Sequence, residues 1–314
     1  MTVDLSVDLA PKHKTGFPLR NPVITASGTF GYGTEYAALL DTQRLGAIVS
    51  KGITWSPRKG NRQPRIAETP AGMLNSIGLQ NVGVKAVISK KAPVWAAWDV
   101  PVIVNIAGES FDEFRRLAAA LDGVRGVAAL EVNISCPNVD QGGLEFGCDP
   151  LAAAEVTRVV KQESGLPVIV KLTPNVTDIG EQAIAVAQAG ADAITAINTV
   201  VGMVIDVRRR RPVIARGMAG LSGPAIRPIA LAMVYKIAGA VAIPIIGCGG
   251  IFTADDALQF FMAGASAVQV GTASFVEPQA ATRIIDGLRD YLDSHGHASI
   301  KDIVGVARLP APQR

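Results

Sequence analysis

Eight short runs of apolar, largely β-branched residues recur along the chain. Each ends in a polar residue or glycine and leads into a stretch of helical character. They are PVITASG (22–28), AIVSKG (47–52), VIVNIAG (102–108), LEVNIS (130–135), VIVKLT (168–173), AITAIN (193–198), PIIGCGG (244–250) and AVQVGT (267–272). Strands this continuously apolar need cover on both faces, which is the mark of a parallel sheet. Eight βα repeats is the number that closes a barrel. The expected fold is therefore α/β, a TIM (β/α)8 barrel with long βα loops over its carboxyl-end face. An open doubly wound sheet is the competing arrangement, but no G-x-G-x-x-G follows any of the runs.

The rest of the sequence agrees with this reading. At 314 residues the chain is compatible with one barrel, since such barrels often exceed about 250 residues as a single unit. No linker or low-complexity segment divides it, so 1–314 reads as a single domain. Hydrophobic residues make up 49%, enough for a large core, and aromatics only 5%. That scarcity argues against a base-stacking nucleic-acid platform. A net charge of +3 is too weak a bias to imply a polyanionic partner. The N-terminus carries Asp4 and Asp8 and lacks an apolar core, so no signal peptide is expected. The longest stretch free of charged or strongly polar residues, 237–252, is broken by Pro244 and four glycines and is too short to span a membrane. The three cysteines, Cys136, Cys148 and Cys248, have no C-x-x-C spacing. They suit a reducing cytoplasm and cannot by themselves hold a cluster or a four-cysteine zinc site; no metal site is expected.

The helical stretches carry their own signals. FDEFRRLAAALDG follows the third run. Thr253 with Asp255 and Asp256 predicts an N-cap and an acidic first turn. Pro224 after Gly223 predicts a helix start. Two connections are long, 53–80 and 199–223. On the strand-to-helix side of a barrel, long loops cover active sites.

The carboxyl ends of barrel strands are where chemistry is placed. Here they hold Ser27, Lys51, Asn105, Asn133, Lys171 and Asn198, then Gly249-Gly250 and Gly271-Thr272. One such residue is ordinarily a solvated loop residue; six in eight strands point to a ligand site. The glycines of the last two runs suit either tight turns or the phosphate site usual after strands seven and eight. His13, His295 and His297 lie in the terminal regions, leaving Cys, Lys, Asp, Glu or Tyr for acid–base work. Cys136, one residue beyond the fourth run in NISCPN, is placed for a base or nucleophile. Cys248 reads as packing, and Cys148 lies further along the Cys136 loop. Arg208–Arg211 reads as a solvated part of the long loop. Trp95 and Trp98 read as packing at a helix end.

The segments NPVITASGTFGYGTEY, SKGIT, NSIGLQN, VNIAG, NISCPN, VKLTPNV, AINT, GLSGPA, GCGGI and VGTASF, in this order, resemble the class 1 dihydroorotate dehydrogenases. The resemblance covers residues 5–290. ASGTFGYG and the NISCPNV…GG…FG stretch look most like class 1B, the NAD-linked branch.

The resemblance implies an FMN-binding barrel that oxidises dihydroorotate to orotate in pyrimidine biosynthesis. It places flavin contacts on Ser27, Lys51, Gly52, Asn105, Asn133, Lys171, Ile197, Gly223, Gly249, Gly250, Gly271 and Thr272. Pyrimidine contacts fall on Lys51, Asn75, Ser76, Ile77, Gly78, Leu79, Asn133, Asn198 and Thr199, and the catalytic base on Cys136. Class 1B further implies a homodimer core in a heterotetramer with two electron-transfer subunits, which carry FAD and a [2Fe–2S] cluster and reduce NAD. The sequence departs from the family at IDVRRRRPVIARGMAGLSGP, with extra arginines and Ala219-Gly220 where Gly–Gly is usual. The competing functions are a fumarate-linked class 1A enzyme, a flavin barrel for another pyrimidine such as uracil, a non-flavin barrel with a cysteine nucleophile, and a non-catalytic binding subunit.

Overall fold

The computed structural model describes residues 3–135, 137–138 and 144–309. Eight strands form a closed, all-parallel barrel. They are β1 (Val23–Thr25), β2 (Ala47–Val49), β3 (Val102–Ile106), β4 (Ala129–Asn133), β5 (Val168–Lys171), β6 (Ala193–Ala196), β7 (Ile245–Cys248) and β8 (Ala267–Val270). Each pairs with the next in the chain, and β8 closes on β1. All eight apolar runs thus become barrel strands, and nearly every strand residue is buried.

Among the described residues, six helices of ten residues or more cover the barrel: α1 (Phe111–Leu121), α2 (Pro150–Glu163), α3 (Ile179–Gln188), α4 (Arg227–Ala240), α5 (Ala254–Ala263) and α6 (Ala280–Ser294). Their starts follow from side chains that accept the N–H groups a first turn leaves unpaired. Ser110 accepts from the Glu113 N–H, Asp149 from Leu151 and Asp178 from Gly180. Thr253 and Asp256 form a reciprocal capping box at α5, as the sequence predicts. Pro224 instead opens a single 3-10 turn, and the helix proper starts at Arg227.

The first two connections differ from the simple repeat. Between β1 and β2 only two 3-10 turns form, Thr34–Tyr36 and Thr42–Arg44. Gly31 and Gly33 adopt φ of 61° and 90° there, a left-handed geometry that breaks a helix. Between β2 and β3 the helical stretch 84–95 passes through a π turn and contains Pro93, which has no N–H to donate. Trp95 is buried and its indole donates to the Tyr32 carbonyl at 2.9 Å, so it packs as expected.

The two long loops pair with each other. Strands Ile66–Thr69 and Gly72–Asn75 from one, and Val200–Gly202 and Ala219–Ser222 from the other, make a four-stranded antiparallel sheet. Beneath it Leu74, Ile214 and Ala219 form a small apolar cluster separate from the barrel core. Ala219, one of the departures noted above, fills part of that cluster. Gly220 beside it has no room for a side chain as it stands: a Cβ there would sit 2.2 Å from Thr199 Oγ1, so a neighbour would have to shift. Arg208, Arg209, Arg210 and Arg211 are exposed at the hairpin between Asp206 and Arg211.

Candidate active site

A cavity of about 730 Å³ opens at the carboxyl ends of the strands, under the four-stranded cover. That size lies within the usual range for a cofactor or ligand site. Its walls gather every flavin-contact position expected from the sequence: Ser27, Lys51, Gly52, Asn105, Asn133, Lys171, Ile197, Gly223, Gly249, Gly250, Gly271 and Thr272. Asn75, Ser76, Ile77, Gly78, Leu79, Asn198 and Thr199 line the same space. His13, His295 and His297 are not among its lining residues. Cys136 lies outside the described residues; Ser135, immediately before it, lines the cavity.

Lys51 is brought over the cavity by the end of β2, where its backbone N–H donates to the Gly31 carbonyl at 2.6 Å. Burial and then the nearby Arg65 guanidinium push its ammonium below the ordinary lysine range. An anion reaching Lys51 would favour the charged ammonium and so oppose both effects. Gly52 must be small because a Cβ there would lie 2.7 Å from Asn105 Oδ1.

At the opposite wall Asn198 Nδ2 donates to Asn133 Oδ1 at 3.1 Å and to Ser135 Oγ at 2.9 Å. Past Ser135, the chain returns at Gly147, whose N–H donates to the Ile134 carbonyl at 2.8 Å. Phe146 anchors this return, edge-on to Phe111 and Phe114. The two ends of the segment that carries Cys136 are therefore clamped together at the cavity rim. Glu145 also lines the cavity. Burial raises its carboxyl above the usual range, against a hydrogen bond from Thr173.

The glycines at the ends of β7 and β8 form a narrow cradle. Gly249 and Gly250 have φ of 138° and 73°. A Cβ on Gly250 would meet the Gly223 carbonyl at 2.8 Å. Among the described residues none accepts a hydrogen bond from the N–H of Gly249, Gly250 or Thr272. Unclaimed backbone donors beside a helix start suit an anionic phosphate. Thr272 Oγ1 donates to Ser222 Oγ at 2.8 Å, which ties the cradle to the cover.

Cys248 is buried as expected, yet it also faces the cavity, with its Sγ 4.0 Å from Lys171 Nζ. Burial raises its thiol. Cys148 lines a separate cleft with Asn175 and Asp178. Several wall residues carry no expectation from sequence: Arg58, Arg65 and Arg216 at the mouth, and Asn175 and Phe275. Arg58, Arg65, Asn175 and Arg216 lie in loop-like runs with no periodic signal, and Phe275 lies in the single helical turn Ala273–Val276. Below the cavity lie Glu131, Thr195 and Gln269, buried polar residues inside apolar strands. That placement was their signal. Among the described residues no cluster of His, Cys, Asp and Glu can hold a metal ion, and no helix is long and apolar enough to cross a membrane.

The sequence profile of the family described as "Dihydroorotate dehydrogenase" matches residues 11–292. A protein of Geotalea daltonii is 53% identical over 306 residues, covering 98% of this chain and 99% of its own. One from Geotalea uraniireducens is 55% identical, covering 96% and 98%. One from Desulforamulus reducens is 57% identical, covering 92% and 95%. All three are named "Dihydroorotate dehydrogenase B (NAD(+)), catalytic subunit". The match runs from before β1 to the last helix of the barrel, and so the chain belongs to the dihydroorotate dehydrogenase family.

Proposed function

We propose that the chain is the catalytic subunit of an NAD-linked dihydroorotate dehydrogenase, in which FMN occupies the barrel cavity and dihydroorotate is oxidised to orotate for pyrimidine biosynthesis. The carrying observation is the convergence of all the expected flavin and pyrimidine contacts on one cavity. Near full-length identity above 50% to catalytic subunits of that name supports it.

The residues present fit FMN. The Gly249–Gly250 and Gly271–Thr272 turns offer backbone donors for a phosphate, Asn105 and Lys171 offer polar contacts to a ring edge, and the cavity is large enough for both. When bound, FMN supplies the hydride acceptor. The protein supplies the rest. Lys51 binds the substrate carboxylate; a charge-assisted bond of this kind contributes about 1.5–3 kcal/mol. Asn75, Asn133 and Asn198 carry the mixed donors and acceptors that match alternating C=O and N–H groups on a pyrimidine edge. Cys136 takes the C5 proton as the base, and the clamped ends of its segment hold the neighbouring Ser135 at the cavity wall.

Electrons leave through a partner. Phe275 and Val276 are exposed, 54% and 74%, directly after the Gly271–Thr272 turn, and Phe275 also lines the cavity. An electron-transfer subunit bearing FAD and a [2Fe–2S] cluster, docked here, would lie against the cavity that would hold FMN, with the barrel subunits paired as a dimer core. The test compares the isolated chain with the chain co-expressed with that subunit. The isolated chain oxidises dihydroorotate with a dye as acceptor and does not reduce NAD; the pair does. Efficient NAD reduction by the isolated chain overturns the two-subunit reading, and strong fumarate reduction without a partner makes it class 1A.

A further inference from the structure

Glu131 sits on β4 in the barrel interior with no exposed surface, and it does not line the cavity. A carboxylate so placed is strongly unfavourable unless it is paired and hydrogen-bonded. Here each oxygen is engaged. Oε1 accepts from Asn105 Nδ2 at 2.7 Å and lies 3.9 Å from Lys171 Nζ. Oε2 accepts from Thr195 Oγ1 at 2.9 Å and from Gln269 Nε2. Gln269 comes from β8, across the barrel from β4, and its Oε1 accepts from Lys171 Nζ at 3.0 Å. The Gln269 amide is thereby oriented: its nitrogen faces the carboxylate and its oxygen the ammonium.

We propose that Glu131 is the positioning residue of the site, fixing Asn105 and Lys171 from beneath and supplying the counter-charge that sets the redox potential of a flavin bound above them. The proposal rests on the flavin reading given above. Both residues that Glu131 holds line the cavity, while Glu131 acts only through them. Burial works against the Lys171 ammonium, and Cys248 and Glu131 beside it prevail, so its pKa is raised. Two-electron reduction adds negative charge to the bound group. A lysine with Glu131 beside it favours that reduced state less than an uncompensated lysine would.

The test measures the midpoint potential of bound flavin and the FMN dissociation constant of the apoprotein, in the full chain. Glu131→Gln removes the counter-charge and shifts the oxidised–reduced equilibrium at least tenfold toward the reduced form, ~30 mV upward for a two-electron couple. Glu131→Asp keeps the charge and stays close to wild type. Gln269→Leu frees Lys171 to close on Glu131 and shifts the potential downward, which keeps the proposal testable if Glu131→Gln does not fold. In a Lys171→Met background the buried Glu131 has lost its cation and is protonated, so Glu131→Gln removes no charge and the shift disappears. A purely structural role would weaken FMN binding in all variants without shifts of opposite sign. If the wild type binds FMN but the potentials do not move, the proposal is wrong and the flavin reading stands. If the wild type binds no flavin, both fall.

Discussion

Asn198 Nδ2 lies 3.1 Å from Asn133 Oδ1, a bond between two amides that come from the ends of strands two apart in the barrel. Asn133 Oδ1 also accepts from the Ser135 N–H at 3.2 Å, and Asn198 Oδ1 from the Thr199 N–H at 2.8 Å. These bonds fix which way each amide faces, so the polarity of this wall is set before a ligand arrives. Asn198→Ala is expected to weaken orotate binding by about tenfold, ~1.4 kcal/mol. Asn198→Asp should weaken it further, because it turns a carboxylate toward Asn133 Oδ1 and toward an anionic ligand. Titration of flavin absorbance with orotate measures both; equal affinity in either variant removes this pair from the substrate site.

Lys51→Ala is expected to raise the orotate dissociation constant at least tenfold, from loss of a charge pairing of about 1.5–3 kcal/mol. The pH dependence has a definite sign. Burial and then Arg65 lower the Lys51 pKa from 10.5, so the ammonium is lost at lower pH than for an ordinary lysine, while the orotate carboxylate stays charged. Affinity therefore declines with rising pH, beginning below the ordinary lysine range. Arg65→Gln should move that decline to higher pH. An orotate affinity that is flat through this range places the carboxylate elsewhere.

Cys136→Ala should keep FMN and orotate binding but slow flavin reduction by dihydroorotate about 10²–10⁴-fold, the usual contribution of a positioned base. Cys136→Ser should be slow as well, because a hydroxyl ionises far less readily than a thiol. Stopped-flow reduction at the wild-type rate in Cys136→Ala would assign the proton to another group.

Gly220→Ala places a methyl group 2.2 Å from Thr199 Oγ1. The cover strand or Thr199 must shift, which is expected to destabilise the protein by about 1–3 kcal/mol and to weaken orotate binding. Ala219→Gly, one position earlier, only thins the small cluster with Leu74 and Ile214. It should lower the melting temperature slightly and leave orotate affinity unchanged. Melting curves and orotate titrations on the two variants separate these outcomes.

The barrel was legible because each strand is a continuous apolar run, a pattern that only a sheet covered on both sides explains. The site was legible for the same reason: Ser27, Lys51, Asn105, Asn133, Lys171 and Asn198 interrupt apolar strands at their carboxyl ends. Glu131 and Gln269 interrupt β4 and β8 within the strands, and local pattern alone does not say which partners meet inside a closed barrel. The pairing of Gly72–Asn75 with Ala219–Ser222 joins residues far apart in sequence and depends on barrel closure. The missing helix between β1 and β2 reflects Gly31 and Gly33, whose left-handed geometry outweighs the helical composition of the residues that follow.

A flavin in the cavity that dihydroorotate can reduce is the central requirement, and one spectrum tests for it most directly. The purified chain should carry one non-covalent FMN, absorb in the visible, and lose that absorbance when dihydroorotate is added without oxygen; denaturation should release FMN. A colourless protein, release of FAD, or a flavin that stays oxidised with dihydroorotate would contradict it.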